Sequence, residues 1–149
     1  MRARVVYDTN YGNTRTIAEV IARELGKDAI ALNVADVTDT SLAGVDVLVV
    51  GCPINGWRPT AAMQEFLGRL APGSLEGVRA AAFDTRIKLF IHGDAAGKIS
   101  QALQRAGATI VAKPQGFIVE GTEGPLAPGQ TGKAGAWAAF IGAELRASA

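Results

Sequence analysis

Three features of the chain predict an α/β fold with three layers around a parallel sheet. Short runs of β-branched, aromatic or uniformly apolar residues alternate with segments whose apolar residues recur at intervals of three and four. The run VDVLVVGC at positions 45–52 is apolar almost throughout, as expected of a central strand covered on both faces. Glycine, proline and asparagine cluster where one pattern gives way to the other, and each right-handed crossover between parallel strands must lay a helix on a sheet face.

The first strand is residues 4–7 (RVVY), stopped by the polar, glycine-bearing stretch from Thr9 to Thr14. From Thr14 onward Ile17, Ala18, Val20, Ile21 and Leu25 share one helical face, and Gly26 ends the helix. A weaker strand covers 29–34, and the polar stretch 35–44 leads to the third strand at 45–52, with Asp46 as its single charge. Gly51, Pro53, Asn55, Gly56 and Pro59 force a loop, after which Met63, Phe66, Leu67 and Leu70 mark a second helix. Residues 80–83 form a fourth strand, and 84–94 a longer connection with apolar residues of its own at Leu89, Phe90 and Ile91. A third helix runs from about 95 to 106, with Ile99, Leu103 and Ala106 on one side. Residues 109–112 and 117–119 flank Pro114 and Gly116, which predicts one interrupted edge strand or two short ones. A last helix holds 134–145. No repeat or low-complexity linker divides the chain, so the expectation is one domain over residues 1–149.

A chain of 149 residues can bury about 70% of its unfolded surface in one core. Its 48% hydrophobic and 19% charged residues exclude a disordered chain, and the longest apolar stretch, Val47 to Ile54, is far short of the about 20 residues a spanning helix needs. These point to a soluble, globular protein without a membrane segment. Cys52 is alone and cannot form an intramolecular disulfide, and MRARVVYD enters a strand-like run with no signal-type apolar segment, so a cytoplasmic location is expected. Fifteen Lys+Arg against 14 Asp+Glu leave a net charge of +1, which argues against nucleic acid as a partner. One His and one Cys cannot fill a four-ligand metal site, so no metal is expected.

Ligands of open α/β sheets bind at the C-terminal ends of strands, near the point where strand order reverses. The first such exit reads Thr9-Asn10-Tyr11-Gly12-Asn13-Thr14 and leads into the first helix. It combines short hydroxyl and amide side chains, a run of backbone N–H groups and a glycine that permits close approach, all at the positive end of a helix. Such a loop suits a terminal phosphate; an ordinary turn with a Thr or Asn cap would use the same residues. It lacks the paired glycines of a dinucleotide loop and the lysine of a triphosphate loop.

The wider span VVYDTNYGNTRTIAEVI, Val5 to Ile21, resembles the flavodoxin signature: two apolar residues, Tyr7, hydroxyls at Thr9 and Thr14, Gly12, Ala18 and Ile21. The resemblance implies a doubly wound, five-stranded parallel sheet of order 2-1-3-4-5 in a short-chain member, with FMN as cofactor and its phosphate wrapped by Thr9, Asn10, Tyr11, Gly12, Asn13 and Thr14. It also implies a flavin ring between the loops after the third and fourth strands. The first of these contains Pro53, Ile54, Asn55, Gly56 and Trp57, with Trp57 as the candidate stacking residue; the competing arrangement folds that Trp back onto the next helix. The second places Asp84, Thr85 and Arg86 near the ring, but has no Tyr or Trp where the family has one, which leaves Phe90, His92, solvent or a partner to face the other side. Cys52 sits where the family often has Ser and reads as a small core residue. The stretch 121–129, with Glu120 and Glu123 nearby, could close over the flavin from the side or simply connect strand to helix.

GDAAGKIS (93–100) and GQTGKAG (129–135) imitate a triphosphate loop but fail its glycine spacing. No catalytic residue is assigned. The resemblance implies an electron-transfer protein that shuttles one or two electrons between redox partners docking at the exposed flavin edge. An FMN-dependent NAD(P)H reductase or small-substrate dehydrogenase is the alternative, and a flavin-free binding or regulatory module a weaker one. Flavodoxins are acidic as a family and this chain is not. The loops expected near the ring carry Arg58, Arg86 and Lys88 against Asp84 and Asp94; these cations would stabilise the anionic reduced flavin and favour an anionic partner or substrate, unless they point into solvent.

Overall fold

The computed structural model describes residues 1–88 and 93–147. In chain order, β1 (Ala3–Tyr7) leads through a loop to α1 (Asn13–Leu25), then β2 (Ala29–Asn33) and β3 (Val47–Asn55). A two-residue strand, β4 (Arg58–Pro59), turns back on β3 ahead of α2 (Ala61–Gly68). There follow β5 (Arg79–Ile87), α3 (Ala96–Arg105), β6 (Thr109–Ile110), β7 (Gln115–Val119) and α4 (Gln130–Ala147).

Within the main sheet β1 lies between β2 and β3, β3 pairs with β5, and both β6 and β7 pair with the far edge of β5, all in parallel. Thr109 and Ile110 lie opposite Arg79 and Ala80, while Gln115 to Val119 continue along Phe83 to Ile87. The two short strands therefore form one edge position, interrupted around Pro114, which cannot donate to the ladder. Counted by position the order is 2-1-3-4-5, as the resemblance implies, with β4 as an antiparallel addition.

Alternation along the strands divides the core into two layers. Val5, Tyr7, Val47, Val49, Ala81 and Phe83 face Ile17, Ala18 and Ile21 of α1 and Trp137, Ala138 and Ile141 of α4. Val6, Leu48, Val50, Ala80 and Ala82 face Met63 and Phe66 of α2 and Ile99 and Leu103 of α3. Phe83, Phe117 and Trp137 meet edge to face, with ring centroids 5.9–6.1 Å apart. Gly51 lies directly over the Phe83 ring, where a methyl group would collide with it.

Two expectations about strand length are corrected. The fourth strand does not end at Phe83 but runs on to Ile87, so Asp84, Thr85 and Arg86 are strand residues and not part of a loop. Neighbours on both sides carry it onward: Cys52 and Pro53 lie opposite Asp84 and Thr85, and β7 opposite Phe83 to Ile87. The third strand likewise continues through Pro53 and Ile54 to Asn55, because Ile54 and Asn55 pair with Pro59 and Arg58. The tip, Gly56-Trp57, has φ of +55° and +71°, the left-handed pair of a two-residue hairpin turn.

Candidate functional site

Strand order reverses between β1 and β3, so the loops leaving them diverge and open a crevice at their C-terminal ends. A cleft of about 280 Å³ lies there. It is lined by Thr9, Asn10, Tyr11, Asn13 and Thr14 from the loop before α1 and its first turn, by Pro53 to Trp57 from the end of β3 and its hairpin turn, and by Thr85, Arg86 and Ile87 from the end of β5. Three segments distant in sequence thus meet, and twelve of the fourteen residues singled out from the sequence line one cavity.

Thr9 accepts the Gly12 amide N–H through Oγ1 at 2.8 Å, while Gly12, at φ +91°, turns the chain into α1. Nothing lies within 4 Å of where a Gly12 side chain would begin, so its glycine character serves the backbone turn and the residue does not itself line the cleft. Thr14, 1% exposed, shares a 2.8 Å hydroxyl contact with Thr85, tying the start of α1 to β5. Asp8 accepts the Thr9 amide at 2.9 Å and the Thr60 hydroxyl at 2.5 Å, which anchors the same loop to the cap of α2. Across the mouth, Asn10 Nδ2 donates to Asn55 Oδ1 at 3.1 Å.

The helix N-termini around the sheet differ in one respect. Thr60 caps α2 through the Met63 amide. At α3 the Ala95 and Ala96 amides donate to Asp84 and the Gly97 amide to Asp94. This explains why GDAAGKIS is not a phosphate loop: its amides are already occupied by carboxylates. In GQTGKAG, Lys133 is likewise engaged, with Nζ donating to the Gly116 carbonyl at 3.3 Å and lying 5.8 Å above the Phe117 ring. By contrast, α1 begins without a side-chain cap, and its first turn faces the cleft. Unsatisfied amides at a positive helix end are an anion site.

Trp57 is 58% exposed and lines the cleft, so it is not folded back onto α2. A Trp at φ +71° costs about 1–3 kcal/mol of backbone strain. Its carbonyl accepts the Asp94 amide at 3.2 Å and Lys98 Nζ at 3.4 Å, and Gly93 packs so closely on its backbone that a side chain there would overlap it.

Asp84 departs from expectation. It is fully buried and does not line the cleft; its carboxylate accepts the Ala95 and Ala96 amides at the start of α3. Arg86 does line the cleft, but as a partner of Asp84 and not as a solvated cation: Nε donates to Oδ1 at 2.7 Å and Nη2 to Oδ2 at 2.5 Å. The Asp84 hydrogen bond raises the guanidinium pKa further above its ordinary value, against the opposing effect of burial. Arg58 and Lys88 are exposed. Phe90 and His92 lie outside the described residues. Ile87, Gly93 and Val119 also border the cleft, beyond the residues the sequence singles out. Thr122 borders it from the stretch 121–129, and Asn13 Nδ2 reaches that stretch at the Glu123 carbonyl, 3.3 Å away.

Cys52 is buried beneath this wall, and desolvation pushes its thiol from 9.0 up to about 12. The neutral form is therefore held in the folded state. Its contribution to stability is complete below pH 9 and is lost as pH rises from there through about 12, at about 1.4 kcal/mol per pH unit. Iodoacetamide at pH 8 should leave folded Cys52 unmodified while alkylating it readily in denaturant; rapid alkylation of the folded chain would contradict the burial.

Among known proteins, the flavodoxin domain model matches residues 4–86, more than half of the chain. A flavodoxin of Clostridium beijerinckii is 41% identical over 56 residues, 36% of this chain and 41% of that protein. A flavodoxin of Maridesulfovibrio salexigens is 27% identical over 120 residues, 74% of this chain and 81% of the relative. A solved flavodoxin from the domain Archaea superposes with a TM-score of 0.80 at 20% identity, over 98% of this chain and 99% of that one. Among the described residues, no helix is long and apolar enough to cross a membrane.

Proposed function

The chain belongs to the flavodoxin family, and from that premise we propose that it binds FMN and transfers electrons between redox partners. Bound FMN supplies the redox chemistry, taking up or releasing one or two electrons. The observation that carries the proposal is the uncapped N-terminus of α1 opening on a cleft that is also lined by an exposed, backbone-strained Trp. The donor set fits the cofactor: hydroxyls, amides and a positive helix end for a phosphate, and an aromatic with apolar neighbours for a flat ring.

In this reading Thr9, Asn10, Tyr11, Asn13 and Thr14 hold the phosphate, and Gly12 gives their loop its turn. Pro53, Ile54, Asn55, Gly56 and Trp57 border the ring on one side, Thr85 and Arg86 on the other, and Asp84 acts from behind through Arg86. Ile87, Val119 and Thr122 extend the wall. Redox partners dock where the cleft opens between Tyr11 and Trp57, 54% and 58% exposed. The exposed Arg58 and Lys88, next in sequence to the cleft residues Trp57 and Ile87, and Lys98, which donates to the Trp57 carbonyl, favour an anionic partner or substrate through steering that salt screens over about 8 Å at physiological ionic strength. The same proposal treats residues 1–149 as one domain and places it in the cytoplasm, where a lone thiol such as Cys52 stays reduced.

Titrating the flavin-free chain with FMN tests the proposal. Stoichiometric quenching of FMN fluorescence is expected, with riboflavin bound more weakly. No uptake of FMN overturns it, and bleaching of the bound flavin by NADH or NADPH alone would replace the electron carrier with a reductase.

A further inference from the structure

Asp84 is 0% exposed, and an ionised carboxylate in such a position survives only with partners. It has four donors: Arg86 Nε at 2.7 Å and Nη2 at 2.5 Å, and the amides of Ala95 and Ala96 at 3.3 and 2.9 Å. Two residues apart on β5, Asp84 and Arg86 leave the strand on the same face, and the guanidinium lies against Gly116 of β7, where a methyl group would strike it. Glycine on the neighbouring strand thus makes room for the Arg side chain, the buried carboxylate fixes it in two-point contact, and the start of α3 stabilises that carboxylate. Only the Arg end of the pair borders the cleft. Asp94, the other acid facing it, is 3.9 Å away and 55% exposed, so solvent screens it.

We propose that Asp84 is a positioning residue for the cofactor site, one that locks the Arg86 guanidinium into the cleft wall and cancels its charge. The wall then presents a fixed dipole to the cofactor and no net cation. Of the three cations expected to act together on the flavin, Arg86 is thereby withdrawn, and Arg58 and Lys88 at the surface remain. The inference rests on FMN occupying the cleft.

A charge cycle tests it. The parent chain, D84N, R86Q and the D84N/R86Q double variant are each loaded with FMN, and their midpoint potentials are measured by spectroelectrochemical titration. D84N leaves the guanidinium uncompensated and should raise the affinity for reduced, anionic FMN over oxidised FMN about tenfold, about 59 mV for a one-electron couple. R86Q leaves the carboxylate uncompensated and should shift the potential the opposite way, and the double variant should return close to the parent value. A merely structural pair would lower the unfolding midpoint without this division by sign, so single variants that bind FMN at the parent potential, or that move it in the same direction, overturn the proposal. Should R86Q fail to fold, D84N and R86K decide: R86K keeps the charge and should keep the potential, and a D84N potential equal to the parent's overturns the inference. Failure of the FMN reading shows separately, as absence of FMN uptake by the parent chain, and overturns this inference with it.

Discussion

Replacing Thr9 and Thr14 together by alanine should weaken FMN binding about a hundredfold while changing riboflavin binding less than about threefold. The two hydroxyls hold the shape of the loop before α1: Thr9 Oγ1 takes the Gly12 amide at 2.8 Å, and Thr14 Oγ1 meets Thr85 Oγ1 at 2.8 Å in a fully buried position. Their removal loosens the turn that aims the first amides of α1 and deletes two donors from a site for a doubly charged group. Hydrogen bonds to charged groups are worth about 1.5–3 kcal/mol each, so a loss of about 3 kcal/mol corresponds to about two decades in Kd. Riboflavin has no phosphate and should lose little. Fluorescence titration with both ligands checks this, and equal losses would contradict phosphate binding at this loop. The double variant should also be less stable, since the Thr85 hydroxyl, 5% exposed, is left without its Thr14 partner.

Phe83→Ala should cost about 3–5 kcal/mol of unfolding free energy, the largest stability effect expected of any single substitution considered. Phe83 is wholly buried, meets Phe117 and Trp137 edge to face, and fills the space over Gly51, so three strands and α4 converge on its ring. The cavity left by truncation cannot be closed by a neighbour, because the strands on both sides are fixed by their ladders. Urea denaturation should show a lower midpoint, and Tm should fall by about 10 °C. The folded fraction should still take up FMN, since Phe83 does not line the cleft. A loss below about 1 kcal/mol would show that the aromatic cluster is not the structural centre of that layer.

The elements that were legible in the sequence are those whose residues answer to local rules. Ile17, Ala18 and Ile21 repeat at helical spacing and are buried on α1, Val47 to Val50 are apolar on both faces and lie at the sheet centre, and Pro114 marks an edge that breaks where it was expected to break. The loop before α1 could be read because its chemistry is contiguous: hydroxyls, amides and a glycine within six residues. The end of β5 could not. Asp84-Thr85-Arg86 reads as a polar loop, and it becomes a strand only because β3 and β7 supply ladders on both sides and because Asp84, two residues before Arg86, shares its face. Gly56-Trp57 was legible as a turn. That it is a two-residue hairpin with a Trp in left-handed conformation depends on the pairing of Asn55 with Arg58 and on the approach of Gly93, 36 residues later.

Sequence alone therefore determined the layer architecture and, through the family signature, the strand order, since periodicity and short motifs are carried by neighbouring residues. Tertiary structure decided the charge of the cleft wall. Counting residues gives Arg86 as one of three cations set against Asp84 and Asp94, without saying which charges pair; folding buries the Asp84 carboxylate against Arg86, and a formal charge acts on its surroundings only as far as its counter-charge allows. That counter-charge is held in place by the N-terminus of α3, which begins 12 residues after Asp84, and no local pattern could have reported the contact.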